Sequence, residues 1–385
     1  MTATATTPTA IAAARDEEFP IFRDYTYLNT AAQAPLPNRT TRAIAAATEA
    51  AQFPGIARAA ALPDVEAIAR DRLARLIGAD PADLVFTGNT THGMNICAQG
   101  IAWRAGDNVV VPEHEFPSLA YAWSHLRRRE VEVRFAPFAG AGPTVDEIMA
   151  RVDGRTRAVA CSAITWNTGW RADLETLGRR CAERGVLLIV DGIQAVGARR
   201  LDVKAARISA LATHGYKWLL SGFGLGALYV APEAVDRIAP TFIGEQAVTG
   251  DSDAHAGRLD WKPGPARYGA GGLNRIGLAA YASSLGLLEE LGIDAIEERN
   301  RRLAETLYAA LLARSGIRVA SSADPAHRSQ IIVFTTGDQA SDAALVARLE
   351  ARGVIVALRP LGVRVSPHFY NTEQDIARLL DELPK

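Results

Sequence analysis

Short apolar runs rich in β-branched residues alternate with helix-like segments through the first two-thirds of this chain. Seven such runs stand out, at 84–87, 108–112, 131–136, 158–162, 187–190, 208–212 and 226–231. They show little polar alternation, which is typical of strands covered on both faces. Amphipathic stretches such as Leu174–Arg184 lie between them. This order predicts an α/β fold with a mainly parallel seven-stranded sheet and helices on both sides.

The length of 385 residues is too great for one small core, so we expect more than one domain. We predict a flexible N-terminal segment over 1–24, a large ligand-binding domain over 25–270 and a smaller α+β domain over 271–385. The first twenty residues are rich in Ala and Thr and lack a basic start, so we do not interpret them as a signal peptide. A cytoplasmic location is therefore expected.

Composition excludes several classes of function. The net charge is −1 without any basic block, which argues against a nucleic-acid partner. No apolar run approaches the roughly twenty residues of a membrane span. The three cysteines, Cys97, Cys161 and Cys181, are odd in number and widely spaced, so the sequence predicts neither a disulfide framework nor a metal site.

Two charged residues stand at the ends of apolar runs in the middle of the chain, where burying a charge costs free energy. Asp191 ends VLLIVD, and Lys217 lies in THGYKWL after the next run. A buried lysine becomes neutral more readily and can attack an aldehyde, while a carboxylate can keep a pyridine nitrogen protonated. This pair predicts a site for pyridoxal 5′-phosphate (PLP), held by Lys217 as a Schiff base. The alternatives are a surface lysine and a helix N-cap aspartate.

Other polar residues fit around the same cofactor. Gln194, three residues after Asp191, can reach the same pocket and donate to the 3′-oxygen of the ring. The segment FTGNTTHGMN (86–95) reads as a strand end, a turn and a helix start, so Thr90 and Thr91 are candidates for the phosphate site. Plain helix capping is the alternative for these two threonines.

Two further segments supply candidates for the ring and for the substrate. In PEHEFPS (112–118), His114 or Phe116 could stack on the pyridine ring, and we prefer Phe116 because the following proline fixes the turn. Arg364 lies in the strand-like run GVRVS, where an arginine is costly unless it is paired. A substrate carboxylate is a suitable partner, and a salt bridge to another domain is the alternative.

Together these segments resemble the class V aminotransferase group of fold-type I PLP enzymes. That group includes cysteine desulfurases, cystine C–S lyases, kynureninases and isopenicillin-N-epimerase-like proteins. The resemblance runs from YLNTAAQAPLP (27–37) to YNTEQDIARLL (370–380), nearly the whole chain. The segments NTTHGMN, EFPS, WNTG, VDGIQAVG, HGYKWL, RYGAGG and VRVSPHFYNTEQD occur in the expected order.

The resemblance implies the PLP-dependent transferase fold type I and a role for each matching residue. Lys217 would bind PLP, with Asp191 as partner of the pyridine nitrogen and Arg364 as the group that binds the substrate carboxylate. Further cofactor contacts would come from Thr90, Thr91, Asn167, Gln194, His214 and Tyr216, and Asn29 would line the substrate entrance. In this group a Gly-Thr pair of the neighbouring subunit also reaches the phosphate. Gly271 and Gly272 stand at that place here, and such a composite site implies a homodimer.

One departure from the group affects the predicted reaction. Cysteine desulfurases carry a nucleophilic cysteine shortly before the carboxylate-binding arginine, whereas ARGVIVALRPLGVRVS (351–366) has none. We therefore expect a small amino acid substrate and β-elimination of the C–S lyase type, with transamination or epimerisation as alternatives. A ligand-sensing regulator would need an added DNA-binding region. A nucleotide-binding enzyme would need a glycine-rich loop between a strand and a helix, whereas GFGLGA (222–227) precedes a strand.

Overall fold

The computed structural model describes residues 8–54 and 63–383. Its α-helices, numbered here in chain order, are α1 Pro8–Glu18, α2 Asn38–Ala51, α3 Val65–Ile77, α4 Thr90–Gly100, α5 Pro117–Ser124, α6 Val145–Met149, α7 Leu174–Glu183, α8 Arg275–Leu291, α9 Ile293–Leu312, α10 Gln339–Ala351 and α11 Glu373–Asp381. Its strands are β1 Thr26–Tyr27, β2 Leu84–Thr87, β3 Asn108–Pro112, β4 Glu132–Ala136, β5 Thr156–Ser162, β6 Leu187–Asp191, β7 Ala210–His214, β8 Gly226–Val230, β9 Arg318–Val319, β10 Ile332–Thr335, β11 Val354–Ile355, β12 Ala357–Arg359 and β13 Gly362–Val365.

The large sheet has seven strands in the order β2-β8-β7-β6-β5-β3-β4. The five strands from β7 to β4 in that order run parallel to one another, while β8 is antiparallel to both of its neighbours. All seven predicted strands are present, and the sheet is mixed. The chain returns from β7 to β8 through a loop without a crossover helix, and such a connection joins antiparallel strands.

Both faces of this sheet are covered, as the continuous apolar runs predicted. Every residue of β2, β3, β6, β7 and β8 is buried. Helix α4 packs on β7 so closely that a side chain at Gly93 would meet the Cβ atom of Ala212 at 2.7 Å. Helices α2 and α3 pack against α8, whose buried face joins the core of the large sheet.

A second, smaller core is built around a four-stranded antiparallel sheet in the order β12-β13-β10-β9. Its apolar side chains come mainly from α9, β10, β13 and α11. The predicted domain boundary after residue 270 falls before α8, which belongs to the large core through residues such as Tyr281 and Leu285. The smaller core takes its first helical residues from α9, beginning with Leu303.

The expected flexible segment 1–24 contains ordered structure where it is described. Residues 8–18 form α1, which docks on the C-terminal region because Arg15 Nη1 donates to Tyr370 O and contacts the Asp375 carboxylate. The helix forms because an ion pair and the apolar contacts of Ile11 and Ala14 hold it, interactions that its local sequence does not reveal. Residues 1–7 lie outside the described part of the chain.

Two searches of the described residues concern membranes and metals. No single helix there is long and apolar enough to span a membrane; α8 and α9 meet the length and composition criteria only as a pair, which bends by 78°. Within the same residues, no group of three or more His, Cys, Asp and Glu side chains is arranged to hold a metal ion.

Candidate active site

Lys217 and Asp191 lie at or just beyond the carboxyl ends of neighbouring parallel strands. Asp191 is the last residue of β6, and Lys217 follows β7 by three positions. Both side chains are buried and their charges attract each other. Burial lowers the pKa of Lys217 because desolvation disfavours the ammonium, and it raises the pKa of Asp191 for the same reason. The amine is thereby moved toward the neutral form that attacks a carbonyl group.

The backbone around Asp191 explains why this carboxylate is fixed. The backbone N–H of Ile193 donates to Asp191 Oδ1 at 3.0 Å, and that of Gly192 donates to Ala212 O on β7 at 2.8 Å. A turn follows the strand, and no helix begins at Asp191. The alternative of a helix N-cap is therefore not what the structure contains.

Gln194 is held in place by two contacts that leave one donor free. Its Oε1 accepts from Trp218 Nε1 at 2.8 Å, and its Nε2 donates to Ala31 O at 3.1 Å. An amide nitrogen carries two hydrogens, so one N–H remains for a ligand. This geometry fits the predicted donation to the 3′-oxygen of a pyridine ring.

The candidate phosphate site is the start of α4. Asn89 Oδ1 caps the helix by accepting from His92 N at 2.8 Å, which leaves the buried Thr90 Oγ1 without a hydrogen-bond partner. Thr91 is exposed at the same helix start. A hydrogen bond between His214 and the backbone of Gly88 ties this turn to the end of β7. Capping is done by Asn89, so the threonine hydroxyl is available to an anion.

His214 and Tyr216 flank the lysine on its own loop. Burial lowers the pKa of His214 to about 4, so the imidazole is neutral at pH 7, and Tyr216 N donates to its Nδ1 at 3.4 Å. The Tyr216 ring centroid lies 5.4 Å from Lys217 Nζ. Both predicted cofactor residues therefore stand next to the amine.

Phe116, and not His114, is the aromatic residue of the β3–α5 loop near the lysine. The centroid of the Phe116 ring is 5.8 Å from Lys217 Nζ. The His114 side chain is exposed, with its backbone at φ 61°, and its ring contacts Phe138. The positions favour the prediction that Phe116 stacks on the cofactor ring.

Arg364 has one edge of its guanidinium group without hydrogen-bond partners. The side chain is almost fully buried, and only Nη1 is engaged, donating to Trp166 O at 3.0 Å. The Nε and Nη2 groups have no partner, and no carboxylate of the described chain pairs with them. The alternative of a salt bridge to another domain is thus not present there. Two free parallel N–H groups match a carboxylate, which accepts from both.

Two asparagines border the arginine. Asn29 pairs through its backbone with Ser366, two residues beyond Arg364, and its buried Oδ1 has no partner. Asn167 is buried directly after Trp166, whose carbonyl group Arg364 contacts. These positions bring the N-terminal segment and the WNTG loop to the same place.

Gly271 and Gly272 do not lie beside Lys217 and the other predicted site residues of the same subunit. They line a surface cavity together with Gln246 and Lys262, and none of the residues around Lys217 lines it. A side chain added at either glycine would have no neighbour within 4 Å. This open position fits a role toward a neighbouring subunit, which remains a prediction.

Three residues of the site escaped the sequence analysis. Glu115 is fully buried, and its carboxylate accepts from the Ser162 backbone N–H at 2.7 Å and from the Ser162 hydroxyl. Trp166 donates through Nε1 to His114 O at 3.1 Å and contacts Phe116 edge-on. Arg359 lies beside Arg364. The first two occur in the segments EHEFPS and WNTG, whose other residues carry the clearer sequence signals.

A family model for aminotransferase class-V matches residues 26–379. The chain belongs to this family. Among its class V relatives, a probable cysteine desulfurase of Methanothermobacter thermautotrophicus is 30% identical over 95% of this chain and 96% of its own. Isopenicillin N epimerase of Streptomyces clavuligerus is 29% identical over 82% of this chain and 83% of its own. The cystine C–S lyase C-DES, solved with its reaction product cysteine persulfide, superposes with a TM-score of 0.86 and 25% identity over 94% of this chain and 98% of its own.

Class V membership makes the chain a PLP-dependent enzyme of fold type I, as the sequence predicted. A second structure of C-DES carries glycine covalently linked to PLP. The residues of this chain fit that cofactor. A buried lysine opposes a buried carboxylate, Thr90 Oγ1 is unpartnered at a helix start, and Gln194 keeps one donor free.

Proposed function

We propose that this class V enzyme catalyses β-elimination from a small sulfur-containing amino acid, as a C–S lyase and not as a persulfide-forming desulfurase. The observation that carries the proposal is the position of its three cysteines. Cys97, Cys161 and Cys181 are all buried, and burial raises the pKa of each thiol. A thiolate nucleophile must be ionised and accessible. The hairpin that carries Arg364 contains no cysteine.

The chain's own groups suffice to position such a substrate. Arg364 binds the α-carboxylate through Nε and Nη2. Lys217 would hold PLP and would be the base for the Cα proton, since burial moves its amine toward the neutral form. Asp191 would keep the pyridine nitrogen protonated, and PLP would supply the electron sink that makes the Cα–H bond acidic. Likeness to the cystine C–S lyase C-DES adds support.

The same proposal includes a homodimer whose partner subunit completes the phosphate site through Gly271 and Gly272. Their open position, where an added side chain would meet no atom within 4 Å, supports it. We also propose that the protein is located in the cytoplasm, because its three cysteines are free and form no disulfide with one another.

The test combines a spectrum with a product assay. The purified holoenzyme should show the visible absorbance of lysine-bound PLP, which Lys217→Ala should lose and Lys204→Ala, at an exposed lysine paired with Asp80, should keep. With L-cystine or L-cysteine, pyruvate and ammonia should form. An amine form of the cofactor restored by a keto acid would indicate transamination, and D-amino acid without pyruvate would indicate epimerisation. Colourless protein after PLP addition would refute the cofactor site itself.

A further inference from the structure

Arg359 shares a face of the small sheet with Arg364. Strand β12 pairs antiparallel with β13, with Ala357 opposite Arg364 and Arg359 opposite Gly362. Residues two apart on a strand, and residues opposite each other on paired strands, point to the same face. Arg359 is therefore the diagonal neighbour of Arg364 on that face. Because Gly362 has no side chain, β13 places nothing opposite Arg359.

Arg359 has no acidic partner among the residues that the structure describes. It is half-buried, and the hydrogen bond that its guanidinium makes is from Nη1 to the neighbouring Leu358 O at 2.7 Å. Its charge acts on both Arg364 and Lys217. Two guanidinium groups thus lie together beside Lys217, with Asp191 as the one carboxylate among the charges acting on that lysine. Like charges held together in this way favour a ligand with more than one negative group.

We propose that Arg359 binds a second anionic group of the substrate, so that the preferred substrate is an α-amino acid whose side chain ends in a carboxylate. The inference rests on the proposed function, because Arg364 must already hold the α-carboxylate. Arg364 is the deeper guanidinium and Arg359 lies on the edge strand, nearer to solvent. An extended substrate side chain directed from Lys217 toward this edge strand would meet Arg359. A distal ammonium group would be repelled there.

The test compares two ligands that differ only in the distal charge. The holoenzyme is titrated with α-methylglutamate and with its amide, α-methylglutamine, which both lack the Cα proton that Lys217 would remove. Binding is measured from the change in cofactor absorbance and by calorimetry. Wild type should bind the dicarboxylate more tightly. Arg359→Gln should weaken the dicarboxylate roughly 10- to 100-fold, the range for a charge-assisted hydrogen bond, and leave the amide unchanged.

Arg318→Gln is the matched control, because Arg318 is exposed at the opposite edge of the same sheet, and it should change neither affinity. Equal weakening of both ligands by Arg359→Gln would overturn the inference, since both arginines would then hold one carboxylate. Equal wild-type affinities would overturn it too. If the variant fails to fold, the wild-type preference for the dicarboxylate must still shrink as salt rises. A protein without the visible PLP band would refute the proposed function, whereas a coloured protein without the preference refutes the inference alone.

Discussion

Several buried polar atoms without partners belong to residues that we propose bind the cofactor or the substrate. Asn29 Oδ1, Thr90 Oγ1 and two nitrogens of Arg364 are all in this state. Each unsatisfied group costs free energy in the folded chain. Ligands bound as proposed would supply the missing partners, and the proposed site would then be formed at the expense of stability.

Arg364→Met should therefore separate stability from function. Replacing a buried, unpaired guanidinium by an apolar side chain of similar size should raise the free energy of unfolding by roughly 1–4 kcal/mol. The same change should lower kcat/KM by roughly 30- to 1,000-fold, because the substrate carboxylate loses its partner. Urea unfolding and steady-state kinetics measure the two effects. Arg199→Met is the control: Arg199 is paired with Glu297, so that variant should be less stable than wild type.

Glu115→Gln should remove a pH dependence from the stability of the apoprotein. Burial raises the pKa of Glu115 from 4.5 to about 7. The folded state therefore binds this proton more firmly than the unfolded chain, and wild-type stability falls as pH rises from about 4.5 to about 7. The loss amounts to roughly 3 kcal/mol at 1.36 kcal/mol per pKa unit, and the variant should lack it.

Urea titrations of both apoproteins from acid to mildly alkaline pH measure this difference, in which all other titrations cancel. A constant difference across the range would mean that the bonds from Ser162 keep Glu115 ionised in the folded state. Holoenzyme spectra of the variant provide a second readout. Ser162, which binds Glu115, is paired in register with Asp191 on the neighbouring strand. If the variant shifts the loop that carries residue 115, the absorbance band of the cofactor should therefore change.

The sequence revealed the residues whose burial costs free energy and whose apolar surroundings lie in the same short segment. Asp191, Lys217 and Arg364 each stand out as a charge within an apolar run, and the structure places each beside the site. Glu115 and Arg359 could not be assigned in this way. The partner of Glu115 is 47 positions away along the chain, and Arg359 matters through the pairing of two strands. Such contacts depend on tertiary structure that local patterns do not encode.

At the scale of elements, the hairpin of β12 and β13 decides where both arginines point. Its turn ends at Gly362, which has φ 129°, and a Cβ there would lie 2.1 Å from Phe334 O on β10. The sequence predicted the strand-like run around Arg364 but gave no sign of this close approach. In the same way, it located β8 but not its antiparallel direction, which the return loop sets.

Gly362→Ala should destabilise the fold and impair substrate binding without removing the cofactor. The added methyl group clashes with a strand backbone at a left-handed φ, so we expect a loss of roughly 2–4 kcal/mol. Gly316→Ala is the control, because Gly316 also has a positive φ but open space around it, and it should cost about 1 kcal/mol. Urea unfolding tests the difference. If Gly362→Ala keeps the PLP absorbance but binds ligand more weakly, the structural change is confined to the small sheet. Equal stability of the two variants would contradict the predicted clash.

At the scale of the whole molecule, exposed apolar side chains precede Gly244, which packs against Ala270 beside the two glycines of the RYGAGG segment. Phe242, Ile243 and Leu259 are exposed in the chain before it, and the Phe242 ring contacts His92 on the helix that begins at Thr90. Exposed apolar side chains at such positions are candidates for an interaction surface. The segment 242–244 thus contacts both the helix of the candidate phosphate site and Ala270, the residue before the two glycines proposed to reach a partner subunit.

Subunit mixing tests whether the active site is composite. Gly271→Glu should fold normally, because the space around Gly271 is open, but its carboxylate should repel the phosphate in the partner's site and abolish activity. Lys217→Ala is inactive through its own subunit. In a mixed dimer, one site carries both defects and the other carries none. Refolding the two variants together should therefore restore about a quarter of wild-type activity, as half of the dimers are mixed and each has one intact site. A mixture that stays inactive, or Gly271→Glu that is fully active alone, would mean that each subunit builds its site by itself.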